Sequence, residues 1–71
     1  MPLPLFSQVR LVTDEHEADG APRGTVGSVI EVYDGGAAYE IEVSDADGLT
    51  LALFAAAPAA LELVDPDGSG R

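Results

Sequence analysis

Cysteine, lysine, asparagine and tryptophan are all missing from this 71-residue chain, and its basic residues are three scattered arginines, Arg10, Arg23 and Arg71. Without cysteine there is no disulfide, no thiolate zinc site and no thiol nucleophile. Without a basic stripe there is nothing to neutralise phosphates, which is where most affinity for DNA and RNA originates. The same shortage removes any attraction to an anionic bilayer. No apolar run reaches the roughly 20 residues of a membrane span. The apolar opening, Met1 to Phe6, is short and has no basic segment before it, unlike a signal peptide. These absences predict no nucleic-acid partner, no membrane association and a cytoplasmic location.

What is present is acid and aliphatic surface. There are 13 Asp and Glu against the three arginines, a formal charge of −10, with 46% hydrophobic residues. One domain fits this length, and a chain so short buries only about 60% of the surface its unfolded form exposes. A buried catalytic constellation would compete with packing for the same few positions. The expectation is therefore no enzyme and no cofactor. The partners compatible with the charge are basic proteins, although acidity also serves solubility or a salt-rich environment by itself.

Turn signals recur often enough to argue for strands throughout. Ser7 to Thr13 alternates with Val9 and Leu11 on one face, and Asp14 to Pro22 is a polar loop little constrained by packing. Thr25 to Tyr33 is a second strand, ended by Asp34-Gly35-Gly36, where Asp-Gly accepts the positive φ of a tight hairpin. Ala37 to Ser44 alternates most clearly, with Tyr39, Ile41 and Val43 opposed to Glu40, Glu42 and Ser44. After the turn Asp45 to Gly48 comes Leu49 to Ala55, with Leu49, Leu51 and Leu53 on one face and Thr50, Ala52 and Phe54 on the other. Pro58 prevents a helix in the alanine-rich run and favours one 3₁₀ turn, Pro58 to Ala60, before a last strand from Leu61 to Val64. The second strand carries apolar residues on both faces, so Gly24 and Gly27 are expected to permit a bulge or bend there.

The fold class predicted is all-β, a small SH3-like five-stranded barrel with one short 3₁₀ turn near Pro58. The division is a lead-in at 1–6, the barrel domain at 7–64 and a flexible acidic and glycine-containing tail at 65–71.

The run Arg23 to Tyr33 (RGTVGSVIEVY), then Gly36, Ala38 to Val43 (AYEIEV) and Asp47 to Leu53 (DGLTLAL) resembles a family of short bacterial proteins catalogued as a domain of unknown function. The resemblance covers about residues 7–64 and implies an SH3-type barrel but no catalytic residues. Gly24 to Ile30 also resembles the glycine-containing motif of ribosomal and transcription-factor SH3-like domains. The basic residues those domains use for RNA are missing here, so RNA binding is not carried over.

The chemistry-bearing residues have structural explanations. Asp45-Ala46-Asp47-Gly48 and Asp65-Pro66-Asp67-Gly68 look like calcium-loop fragments. Aligning Gly48 with the loop glycine, however, puts Val43 and Phe54 where acids are required, and the second match runs off the chain. They read as turn residues. Glu15-His16-Glu17 offers one histidine with no second nitrogen or sulfur ligand, and reads as a solvated loop. Glu31, Glu40 and Glu42 are expected to form an acidic strip, joined at its ends by Asp34, Asp45 and Asp47. Tyr33 and Phe54 (with Phe6) are the large residues expected to reach the surface, either as secondary core or as interface anchors. The functional expectation is a non-enzymatic protein-interaction module whose acidic face binds a basic protein, a neutraliser of a co-encoded toxin being one instance. The alternative is a structural domain that homo-oligomerises.

Overall fold

The computed structural model describes residues 3–64, so the tail expected at 65–71 lies outside the described residues. The described chain is all-β. Its strands are β1 (Gln8–Leu11), β2 (Val26–Tyr33), β3 (Ala38–Ser44), β4 (Thr50–Ala56) and β5 (Leu61–Leu63), with 3₁₀ turns at Glu17–Asp19 and Pro58–Ala60. All pairings are antiparallel, and the strand order is β4-β3-β2-β1-β5. β4 and β5 are thus the two edges, connected through the Pro58–Ala60 turn rather than by a ladder.

Alternation decides which side of each strand meets the core. Val9 and Leu11 of β1, Val29 of β2, Tyr39, Ile41 and Val43 of β3, and Ala52, Phe54 and Ala56 of β4 are buried on one concave face. Ala60 and Ala21 close over it from the two connections. The one polar atom that Tyr39 brings inside is satisfied, because its hydroxyl accepts from the Leu3 amide at 2.9 Å.

β2 explains its own two-sided hydrophobicity by a bulge, though not at the glycines. The register with β3 shifts between Val29 and Glu31, leaving Ile30 as the extra residue. Val29 and Val32 are three apart, and only an inserted residue lets both face the core, where Val32 packs against the buried cluster. Gly27 serves a different purpose. A Cβ there would stand 2.8 Å from the Glu42 carbonyl oxygen and 2.8 Å from Ile41 Cγ2, so β3 can cross close only because the side chain is missing.

The loop between β1 and β2 is the main correction. Expected to be unconstrained and to carry a solvated histidine, it instead folds onto β4 and buries both His16 and Ala21. The His16 ring stacks on Phe54 with centroids 4.5 Å apart, and its Nδ1 lies 3.0 Å from Asp19 Oδ2. The turn is closed by amides of Asp19 and Ala21 donating to the His16 carbonyl, and Gly20 takes the left-handed conformation (φ 90°) that ends it. Arg23 fastens the outside by donating from Nε and Nη2 to the Asp14 carboxylate at 3.2 and 3.1 Å, and from Nη1 to the Val12 carbonyl. The hydrogen bond and charge of Asp14 push the Arg23 guanidinium above its ordinary pKa.

Candidate interaction face

The convex side of the sheet gathers most of the residues singled out by the sequence. Glu31 lies directly across from Glu40, and Glu42 lies between Ser28 of β2 and Leu53 of β4. Tyr33 follows two positions after Glu31 on β2, and its hydroxyl donates to Glu40 Oε1 at 3.1 Å. That bond, then burial, then the charges of Glu40 and Glu31 raise the Tyr33 hydroxyl above the ordinary tyrosine value. Thr50 Oγ1 donates to Glu42 Oε2 at 2.8 Å, which orients the second carboxylate. Asp34 sits in the β2–β3 turn at the end of this face with φ 50°, followed by Gly35 at φ 71°, the pair of positive values that the Asp-Gly signal requires. The strip of Glu31, Tyr33, Asp34, Glu40 and Glu42 is therefore assembled on one side.

Phe54 does not belong to it. It is 7% exposed, one of the core residues under His16, because β4 turns its other row outward. The residues missed by sequence reasoning are those of that outward row. Leu49, Leu51 and Leu53 are 66%, 64% and 55% exposed, respectively. Leu53 pairs with Glu42 and Ala55 with Glu40, so the apolar row of β4 runs immediately alongside the acidic row of β3. The signal was present, since the leucine row and the Phe54 row are both apolar and one of them had to face water.

Among the described residues no cation pairs with Glu31, Glu40 or Glu42: Arg10 is paired with Glu62 across β1 and β5, and Arg23 with Asp14 in the loop. Like charges directly opposed, as Glu31 and Glu40 are, repel one another in the free protein.

Elsewhere the structure offers little chemistry. Asp45 Oδ1 accepts from the Asp47 and Leu49 amides at 2.9 and 3.0 Å, a turn-stabilising arrangement that occupies the carboxylate. Among the described residues no group of three or more His, Asp or Glu is gathered in a way that would hold a metal ion. A hollow of about 400 Å³ between the lead-in and β5 is lined by Pro4, Phe6, Ser7, Gln8, Leu63 and Val64, none of which titrates. Phe6, 75% exposed, stands at its rim. Among the described residues no helix is long and apolar enough to cross a membrane.

Fold and face together define a small all-β protein built on one curled antiparallel sheet, with an acidic and leucine-bearing convex side. The chain belongs to the family described as Domain of unknown function (DUF4926), whose model matches residues 5–63. No curated protein and no solved structure matches it detectably.

Proposed function

We propose that this protein is a non-enzymatic interaction module, SH3-like in architecture and bacterial and cytoplasmic in setting, that binds a basic protein partner through its convex face. The strand order, the long β1–β2 loop and the 3₁₀ turn before β5 support the architecture. One observation supports the function: Glu31, Glu40 and Glu42 stand together with no ion pair among the described residues, beside leucines that are more than half exposed. Clustered unpaired charge is costly to keep in a small domain, and a partner of opposite sign both relieves it and is steered by it. Neutralising a basic toxin encoded alongside is one role that this chemistry fits.

The test is affinity capture at low salt, comparing wild type with the Glu31→Gln/Glu40→Gln/Glu42→Gln variant. The reading expects a basic protein on the wild type only, released as salt rises toward about 0.5 M. Retention of acidic or neutral proteins alone, or retention insensitive to salt, overturns it. A second reading, self-association into a structural homo-oligomer, is favoured by the exposure of Leu49, Leu51 and Leu53; sedimentation as a monomer at micromolar concentration eliminates it.

A further inference from the structure

The two edges of the sheet are unequally protected, and the difference shows how a cationic partner docks. Natural sheets blunt their edges with short strands, charges, prolines or bulges, since an open edge is a template for another strand. β5 follows that rule: it is three residues long and carries Glu62, held by Arg10 at 3.0 Å. β4 follows it only at its start, where the register with β3 shifts at Leu51. Its seven residues, TLALFAA, include no charge and no proline, and the ladder with β3 is uninterrupted from Ala52 to Ala56. Among the described residues, no loop or turn donates to or accepts from the backbone of residues 50–56, so the side of β4 away from β3 has no partner.

We infer that the free edge of β4 accepts a β-strand from the partner, and that the outward-facing side chains of that strand are arginine or lysine. This rests on the basic-partner reading above and gives it a geometry. Strands in a sheet are spaced about 4.8 Å apart, so an added strand lies about 10 Å from β3 and its carboxylates. Leu51, Leu53 and Ala55 fill the interval. A long cationic side chain spans that distance with its aliphatic stem over the leucines and its charged head at Glu40 or Glu42. The apolar row and the acidic row thus become two parts of one recognition site, read by the stem and head of the same residue. A second copy of this chain does not supply that match: its β4 brings leucines but no cation, along with a further net charge of −10.

The probe is a synthetic heptapeptide alternating valine and arginine, compared with the same peptide carrying glutamate for arginine and with an arginine peptide N-methylated along one edge. Binding is measured by titration calorimetry, and backbone protection by amide hydrogen exchange. The expected result is binding of the arginine peptide at least tenfold tighter than the glutamate one and at least tenfold weakened by N-methylation. It is accompanied by slowed exchange within residues 50–56, and the Glu40→Gln/Glu42→Gln variant weakens it. Binding that ignores N-methylation and leaves residues 50–56 unprotected overturns strand addition while leaving the basic-partner reading standing. Equal binding of the arginine and glutamate peptides overturns both. Protection of residues 50–56 without peptide, in a protein that sediments as a dimer, gives the edge to a second copy and overturns the inference.

Discussion

Tyr33 ties the end of β2 to the acidic row of β3 through one hydrogen bond, and its titration is a sensitive report on that geometry. Its hydroxyl is raised above the ordinary tyrosine value, mainly by the bond to Glu40. A raised folded value means that the stabilisation is complete below the ordinary tyrosine pKa and is lost as pH climbs through the folded one. The difference absorbance titration between wild type and Tyr33→Phe should place the Tyr33 midpoint above 10, and Glu40→Gln should lower it; a midpoint unmoved by that substitution would refute the contact. His16 is the other informative single residue. It stacks on Phe54, and its Nε2 is buried without a hydrogen-bond partner among the described residues. His16→Ala should cost about 1–3 kcal/mol by losing that packing, measured by urea denaturation. A change within about 0.5 kcal/mol, the range of surface substitutions, would mean that the ring does not anchor the loop. Nothing local in Glu15-His16-Glu17 disclosed this burial, because the partner ring lies 38 residues further along the chain.

Strands with one apolar and one polar row could be oriented from sequence, and β3 is the clear case: Tyr39, Ile41 and Val43 went inside, as alternation required. β4 could not, since both of its rows are apolar. Its inward row is Ala52, Phe54 and Ala56, packed under the β1–β2 loop, whose His16 ring stacks on Phe54. With that row inside, Leu51 and Leu53 face water. The consequence is measurable within one strand: Phe54→Ala should destabilise by about 3–5 kcal/mol, while Leu51→Thr and Leu53→Thr should each stay within about 0.5 kcal/mol. Comparable losses at all three positions would contradict the orientation of β4. β2 was legible in existence and length, but its bulge was expected at Gly24 or Gly27 and lies at Ile30, because periodicity marks a conflict without locating the residue that resolves it. The candidate site was legible as far as its acids, which alternation placed together. Its leucines and the exclusion of Phe54 depended on a long-range contact.

For the molecule as a whole, charge is the dominant variable. The described arginine ion pairs are exposed and engage Glu62 and Asp14 rather than Glu31, Glu40 or Glu42, and the chain of 71 residues keeps a formal charge of −10. Self-repulsion of this size opposes compaction and is screened by salt. Thermal unfolding followed by circular dichroism should therefore show the melting temperature rising between about 10 and 500 mM sodium chloride, by about 4–8 °C per kcal/mol of repulsion removed. A flat or falling trend would mean that the acids are already balanced in the fold. The fastened β1–β2 loop also decides where the chain tolerates additions. Its stem is bonded to Leu11 in both directions, by Gly24 and Thr25, and its apex is wedged over Phe54 by His16. A tag or reporter spliced between Glu17 and Asp19 would prise a wall off the hydrophobic interior. The same cargo at Asp47-Gly48, where nothing stands near the glycine, would hang from the hairpin tip and leave the scaffold intact.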